Sequence, residues 1–353
     1  MKKLLFCLAS IMLMLGCESS LSRNNTNNKI EKIENETWTE VPQKKVGEQV
    51  FIPVESLIST INTKADFDEV NRTLMLDVGE HQFYFVHMVP VVQKNGLLLP
   101  VAENDFNIME DQAWLSLNFL RDNLDIGVRT ENNKTFINTA KPIELKTNNE
   151  VTELSYLGSV ENVIEIMDFL ESPIKGAQVD TIPSHLPGAK RAYRNGVHEG
   201  MDWYGFSTGV SMNEQTKVFA MGDGVVVRAD HEYNRYSSKE ERNRELGMAA
   251  EVGFTPAYIL DRLRGRQVWI QYENGLQARF AHLDRIPEEL QVGDGVSAQT
   301  LIGYVGNTGT SGDVKGDRTE LHLHLDLLYR GELFWKGLSE KEIEKVLKTI
   351  FTN

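Results

Sequence analysis

The chain has 353 residues, of which 41% are hydrophobic and 25% are charged. This composition is ordinary for globular proteins, and the length is sufficient for more than one domain. The formal net charge of -14 argues against nucleic acid as a partner, because no excess of basic residues is available to neutralise phosphates.

The first 17 residues have the pattern of a targeting segment. Lys2 and Lys3 precede an apolar run that is shorter than the roughly 20 residues of a membrane-spanning helix, and Cys17 follows this run. The segment resembles a bacterial lipoprotein signal peptide, which implies lipidation of Cys17 and an extracytoplasmic protein anchored to the cell membrane. The other cysteine, Cys7, lies inside the segment, so no disulfide is expected. A plain secretory signal followed by a free cysteine is the simpler alternative.

Residues 18–45 are rich in Ser, Asn, Lys and Glu and contain few apolar side chains. Such a segment cannot bury enough surface to offset the entropy that is lost on ordering. We therefore expect a flexible tether over residues 18–45, which would hold the body of the protein away from the membrane.

A weak internal repeat lies within residues 46–140. The segment 51–57 matches the segment 114–120, and each is followed by a strand-like stretch, at 71–76 and 133–137. Each unit is predicted to be a short helix followed by a strand. The pattern resembles the copper amine oxidase N-terminal-like domain, a small α+β fold that forms stalks on bacterial surface proteins, which implies wall binding or simple spacing as its role. No copper site is expected, because His81 and His87 lie six residues apart along one strand and read as an exposed pair.

Residues 141–183 connect this stalk to the rest of the chain. Ser159 is a candidate N-cap, and the apolar residues between 163 and 170 predict a helix that ends near Pro173. We expect this helix to serve in packing.

The most informative feature is a strand-like segment near the end of the chain. Strict alternation from 321 to 327 places His322, His324 and Asp326 on one face and the leucines on the other. A catalytic zinc site keeps three protein ligands and leaves a fourth position for water. His198 and Asp202 are candidates for the remaining ligands, although this pair taken alone is also compatible with a polar loop.

Three short motifs follow one another in the chain: His198-x-Gly-x-Asp202, Ala281-His282-Leu283 and His322-x-His324. Together they resemble the lysostaphin/LytM-type zinc endopeptidases, which cut peptide cross-links in bacterial peptidoglycan. The resemblance covers roughly residues 186–329. It implies a mainly antiparallel β catalytic domain over residues 184–353, built as a LytM-like duplicated hybrid motif. By the same resemblance, the zinc ligands are His198, Asp202 and His324, and the catalytic positions are His282 and His322.

The sequence departs from the family pattern in two places. Leu325 and Asp326 stand where Phe and Glu are usual, and the glycine-rich turn before the strand, at residues 309–320, is longer than the short Gly-Pro link that is common. The shorter carboxylate of Asp326 is still expected to orient a ligand imidazole from behind. Histidine exchanges protons near neutral pH, so His282 and His322 suit proton transfer and oxyanion stabilisation. The sequence leaves open which of the two acts as the base.

Two further helical segments lie in this region. Residues 231–267 form an insertion with two helical patterns, which start at Ser238 and Thr255. The insertion is either a solvated decoration or a wall of the substrate groove. At the end of the chain, Ser339 and Glu342 form a capping box for a helix over residues 339–351. Its apolar stripe, which we expect to dock on the enzyme domain, contains Ile343, Val346, Leu347, Ile350 and Phe351.

The sequence thus predicts a multidomain protein with a small α+β N-terminal domain before a β-rich catalytic domain. The predicted function is that of a membrane-anchored zinc metalloendopeptidase that hydrolyses peptide bonds in peptidoglycan. The expected partners are peptidoglycan peptides, the membrane through a lipid anchor, and a cell-wall regulatory protein. Two alternatives remain open: a catalytically inactive LytM-like scaffold that activates other hydrolases, and a wall-binding adhesin in which the stalk carries the function.

Overall fold

The computed structural model describes residues 37–138, apart from 62 and 102, and residues 157–351. The predicted signal segment, Cys17 and most of the predicted tether lie outside the described residues. In the described part of the chain, no helix is long and apolar enough to cross a membrane. The fold is mainly antiparallel β with few helices.

The described N-terminal region contains twelve strands and two helices in three small sheets. In chain order they are β1 (Trp38–Val41), β2 (Lys44–Val46), β3 (Gln49–Pro53), α1 (Val54–Ile61), β4 (Lys64–Asp68), β5 (Thr73–Val78), β6 (His81–Val86), β7 (Val92–Lys94), β8 (Leu97–Leu99), β9 (Phe106–Met109), β10 (Gln112–Ser116), α2 (Leu117–Leu124), β11 (Val128–Glu131) and β12 (Lys134–Asn138). The sheets have the strand orders β1-β12-β11, β2-β3-β10-β9 and β4-β5-β6-β7-β8.

The predicted internal repeat is present, but its unit begins with a strand. The segments that were expected to start each helix are instead β3 and β10, and the helices begin at Val54 and Leu117. The two strands pair with each other in antiparallel register, with Ile52 opposite Leu115. Ser116 ends the second strand and caps the second helix by accepting a hydrogen bond from the N–H of Phe119. Pairing across about 60 residues is a tertiary contact, which local composition does not reveal.

The prediction of a tether up to residue 45 was wrong at its carboxyl end. The segments Trp38–Val41 and Lys44–Val46 are strands, paired with β12 and β3 respectively. Val41 is buried in the N-terminal core. The polar composition of this segment does not prevent pairing, because an edge strand gains its ladder hydrogen bonds from the backbone. His81, in β6, and His87, just after it, are half-buried; the sequence had predicted an exposed pair.

The second region carries the predicted connector helix and the rest of the chain. Its helices are α3 (Val160–Met167), α4 (Lys239–Val252), α5 (Ala257–Leu263), α6 (Ser311–Lys315) and α7 (Glu340–Phe351), with short 3-10 turns at Pro183–His185 and Ala192–Arg194. Its strands are β13 (Lys190–Arg191), β14 (Gly196–Val197), β15 (Met201–Trp203), β16 (Lys217–Phe219), β17 (Gly224–Ala229), β18 (Val268–Gln271), β19 (Leu276–Ala281), β20 (Gly295–Val296), β21 (Leu301–Tyr304), β22 (Leu323–Tyr329) and β23 (Glu332–Leu333). The main sheet has the order β15-β22-β19-β18-β17-β20, and β23 pairs with the end of β22.

Four of the five helices of this region were predicted, although α3 ends at Met167 instead of near Pro173; α6 lies in a segment that was expected to be a glycine-rich turn. Ser159 caps α3 by accepting from the N–H of Asn162. Ser339 and Glu342 form the capping box of α7, with 2.8 Å between the Ser339 nitrogen and a Glu342 oxygen. All five residues of the predicted α7 stripe are buried in the core. The insertion is a pair of helices, α4 and α5, as expected.

The two faces of the main sheet have different roles. Leu323, Leu325 and Leu327 of β22 point into the large core that also contains α3 and α7. The opposite face is partly covered by the N-terminal region: the Gln277 side chain donates to the Gly96 carbonyl at 2.6 Å, and the Leu98 N–H donates to Gln271 at 2.8 Å. The N-terminal region is therefore in direct contact with the main sheet.

Candidate metal centre and its cavity

Strand register brings two of the predicted ligands together. On β15 and β22, Asp202 lies directly opposite His324. Two residues earlier, His322 precedes β22 in an isolated bridge with Gly306, so it faces the same side as His324. A side chain at Gly200 would collide with the Leu325 carbonyl oxygen at 2.0 Å, so only glycine lets the His198 loop pass this close to the strand.

The three predicted metal ligands converge on one point. The His198 Nε2 atom lies 3.0 Å from the Asp202 Oδ1 atom and 3.0 Å from the His324 Nδ1 atom. The third distance, from His324 Nδ1 to Asp202 Oδ1, is 2.9 Å. All three residues are buried, and their ligand atoms form a group that could hold a metal ion.

The outer nitrogen of each ligand imidazole donates a hydrogen bond, so the inner nitrogen has a free lone pair. The His198 Nδ1–H donates to the Leu186 carbonyl at 3.0 Å, which leaves the Nε2 lone pair pointing inward. The His324 Nε2–H donates to Asp326 Oδ1 at 2.7 Å, which leaves Nδ1 facing the centre. Two imidazole lone pairs and one carboxylate oxygen repel one another unless a cation lies between them. A tetrahedral Zn²⁺ with about 2.0–2.1 Å bonds would place such ligand atoms about 3.3 Å apart, so the donor set fits this ion.

The charges of Asp202, within the group, and of Asp326, behind His324, support this arrangement. Burial opposes ionisation of Asp202, but His198 and His322 hold the pKa of its carboxyl well below its ordinary value. Burial alone would lower the pKa of His324, yet the carboxylates of Asp326 and Asp202 raise it to about 9. Without a metal ion, a proton on His324 therefore supplies the positive charge that the group requires.

His282 and His322 lie beside this group, with their ring centroids 4.6 Å apart. The His282 Nδ1–H donates to the Thr308 carbonyl at 2.7 Å, so Nε2 is the free nitrogen. The backbone of His282 is left-handed, with φ of 59°, and its N–H donates to the Arg264 carbonyl at 2.8 Å. Burial, and then the nearby histidines, lower the pKa of His282 well below its ordinary value, which keeps the ring neutral.

His322 has a different environment from His282. Its Nδ1–H donates to the Glu320 carbonyl at 2.6 Å, and its Nε2 lies 3.5 Å from Asp202 Oδ1. Both ring nitrogens thus face oxygen acceptors, so an N–H at either position has a partner. The ring of Tyr204 stacks on His322, with centroids 4.4 Å apart and planes inclined by 15°.

These histidines line a cavity of about 650 Å³. The insertion supplies one side of it, through side chains from α4 and α5: Arg242, Leu246, Leu260 and Leu263. The segment 190–194 supplies the other side. Within α4, Arg242 also donates to the Gly309 carbonyl at 3.3 Å, which ties the insertion to the loop that follows β21.

Sequence reasoning placed Asp326 behind a ligand imidazole, and the structure has it there. It missed two arginines. Arg191 donates to the outer oxygen of Asp202 at 3.0 Å, and Arg264 contacts the outer oxygen of Asp326 at 2.8 Å. It also missed His185, which lines the cavity beside Tyr204. Neither arginine belongs to a motif, so no signal in the sequence marked them.

Comparison with known proteins gives a family for part of the chain. The model of Peptidase family M23 matches residues 248–334, a stretch that includes His282, His322 and His324 and begins after His198 and Asp202. The match supports a peptidase domain of the M23 type. No curated protein matches the chain.

Several solved structures match the chain, among them the following three. A zinc-containing peptidase from Vibrio cholerae is 13% identical with a TM-score of 0.28, over 74% of this chain and 53% of that one, so the chain spans about half of it. The catalytic domain of the antimicrobial peptidase lysostaphin from Staphylococcus simulans is 21% identical with a TM-score of 0.26, over 49% and 90%. The catalytic domain of a mutant of the prophage-encoded M23 protein EnpA from Enterococcus faecalis is 20% identical with a TM-score of 0.28, over 46% and 91%.

Proposed function

We propose that the protein is a zinc metalloendopeptidase that hydrolyses peptide bonds in peptidoglycan and is anchored to the membrane through Cys17. The observation that carries this proposal is the convergence of His198 Nε2, Asp202 Oδ1 and His324 Nδ1 at 2.9–3.0 Å beside an open cavity. The M23 match supports the peptidase assignment. The lipid anchor is supported only by the sequence pattern before Cys17.

In this proposal, His198, Asp202 and His324 hold the ion. Zinc, when bound, lowers the pKa of a coordinated water to about 7 and polarises a carbonyl group. The neutral ring of His282, with Nδ1–H fixed on the Thr308 carbonyl, presents a free Nε2 that accepts a proton. The proton that His282 accepts would then pass to the leaving amine, and His322, whose ring lies 4.6 Å from that of His282, would help to stabilise the developing oxyanion. We therefore assign the role of the base to His282.

The remaining residues position these groups and shape the substrate groove. Arg191 holds the second oxygen of Asp202, so that the first oxygen stays directed at the centre. The stacked ring of Tyr204 restrains the plane of His322. Side chains of α4, α5 and the 190–194 segment line the cavity, whose volume of about 650 Å³ is in the range of ligand-binding clefts.

The test uses the secreted form with Cys17→Ser, incubated with intact peptidoglycan in the presence of zinc. Mass analysis should find new amino termini within stem peptides or cross-bridges and no new sugar ends. His322→Ala serves as the inactive control. Released sugars would contradict the reaction class, and wall binding without any cleavage would favour the scaffold alternative.

A further inference from the structure

A second, smaller cavity lies between the N-terminal region and the face of the main sheet that carries the metal ligands. It has a volume of about 220 Å³. Its walls are largely apolar: Val89, Val91 and Leu98 line one side, and Trp269, Leu328 and Leu333 line the other. Arg264 lines both this cavity and the metal-site cavity, whereas none of the five predicted site residues lines the smaller one.

Arg279 of β19 brings a positive charge to this apolar space. Its guanidinium lies over the ring of Trp269, 4.1 Å from the centroid. Among the described residues, it makes no hydrogen bond and no ion pair, and its buried Nε has no partner. Burial, reinforced by the nearby charge of Arg264, lowers the pKa of Arg279 to about 10.

The carboxylates nearest to Arg279 are already engaged. Asp326, which lies opposite it in the strand register, binds Arg264 and His324. Asp261 binds both terminal nitrogens of Arg228, at 2.6 and 3.1 Å. A third carboxylate of the cavity wall, that of Glu199, binds Arg194 at 2.6 Å. Arg279 is therefore the cation of this cavity without a carboxylate of its own among the described residues.

Arg279 is half-buried, and its Nε is buried without a hydrogen-bond partner, so an anion that reaches the guanidinium would compensate its charge. The apolar walls select an anion with a hydrocarbon body over an inorganic one, because displacing water from such walls favours binding. The cavity volume of about 220 Å³ limits the ligand to a small molecule.

We infer that this cavity binds a small aliphatic monocarboxylate, whose carboxylate group contacts Arg279 and whose hydrocarbon body lies between the two apolar walls. This site goes beyond the proposed peptidase function, since it requires neither the metal ion nor the substrate groove. The two cavities share three lining residues, Glu199, Leu260 and Arg264.

The experiment measures binding to the full secreted form by calorimetry and by the shift in melting temperature. The probes are 3-methylbutanoate, its uncharged analogue 3-methylbutanamide, and inorganic phosphate. We expect saturable binding of the carboxylate at millimolar concentrations, with at least tenfold weaker binding of the amide and of phosphate. Arg279→Met should weaken carboxylate binding at least tenfold. Arg129→Met is the matched control, because that exposed arginine also lies over a tryptophan ring.

A second pair of variants guards against misfolding of the Arg279 variant. Val89→Phe fills the cavity and should abolish binding, whereas Val70→Phe, at an exposed position, should not. Equal binding of acid and amide, binding that survives Arg279→Met, or no saturable binding of 3-methylbutanoate by the wild type would overturn the inference. Peptidase assays do not enter this test, so its failure is distinct from failure of the proposed function.

Discussion

Arg264 and Asp326 form a buried ion pair directly behind the metal-ligand candidate His324, with 2.8 Å between Nη2 and Oδ2. The other oxygen of Asp326 accepts from His324 Nε2, and the Arg264 carbonyl accepts from the His282 N–H. A single residue at the end of the insertion thus supports one proposed ligand and one proposed base. Breaking such a buried pair typically costs about 3–5 kcal/mol, because one charge remains uncompensated.

The first prediction concerns this pair. Arg264→Met should lower zinc affinity by about 10- to 100-fold, because Asp326 loses the partner that orients it toward His324. Affinity can be measured by competition with a chelating dye. Arg262→Met is the matched control, since Arg262 binds Glu241 and Glu245 on the outer side of the insertion. Equal zinc affinity in the two variants would contradict a positioning role for Arg264.

The second prediction separates ligand from catalyst. His324→Ala removes one of the three proposed ligands, so zinc content should fall steeply. His322→Ala keeps all three and should retain zinc while its turnover falls by about 10² to 10⁴. Metal analysis and peptidoglycan cleavage are measured on the same preparations. Loss of zinc from the His322 variant would assign that residue a ligand role instead.

The third prediction concerns pH. Because Asp326 and Asp202 raise the pKa of His324 to about 9 against the effect of burial, zinc binding near neutral pH must displace a proton. Zinc affinity should therefore rise about tenfold per pH unit up to about pH 9 and then level off. The raised pKa also stabilises the metal-free fold, fully below about pH 6.5, and this contribution is lost as the pH rises through about 9.

Calorimetry of zinc binding in two buffers with different ionisation enthalpies counts the displaced protons. Asp326→Asn should reduce the count at neutral pH, since it removes the nearest carboxylate. Binding without proton release in the wild type would show that His324 is already neutral there.

The fourth prediction concerns the groove wall. Arg242→Ala should leave zinc bound but change the distribution of peptide products, because Arg242 lines the cavity and holds the loop at Gly309. Arg244→Ala, two residues along α4 at an exposed position, is the control and should cleave as the wild type does. Identical products from all three proteins would make α4 a decoration of the surface.

The fifth prediction concerns the anchor. Cys17→Ser removes the thiol that would carry a diacylglycerol, so the protein should move from the membrane fraction to the medium or accumulate as unprocessed precursor. Cell fractionation with immunoblotting measures both outcomes. Normal processing together with continued membrane attachment would be incompatible with lipidation at Cys17.

Local periodicity predicted the elements that depend on local contacts. Alternation in β22, the α7 stripe and the caps at Ser159 and Ser339 all have the predicted geometry, because neighbours along the chain determine them. The convergence of the three proposed ligands was expected from a family resemblance, and the structure adds the strand register that produces it.

The contacts that escaped prediction are those between distant segments. Arg264 meets Asp326 across 62 positions of the sequence, and Gln277 meets Gly96 across 181. Neither contact produces a periodic pattern in the sequence, because each depends on how whole sheets and helices pack. The strand at 38–41 was missed for the same reason.

The pairing of β1 with β12 bears on the order in which the N-terminal region folds. Trp38 lies opposite Asn138, so the first strand of this region can pair only after the last strand has been synthesised. During synthesis from the amino end, β1 has no partner until about a hundred further residues have emerged, and contacts of such high sequence separation form slowly. A chain interrupted before β12 would leave this strand with unpaired backbone groups, which invite pairing with other chains. Synthesis at least through β12 is thus a condition for protecting β1 from pairing with other chains.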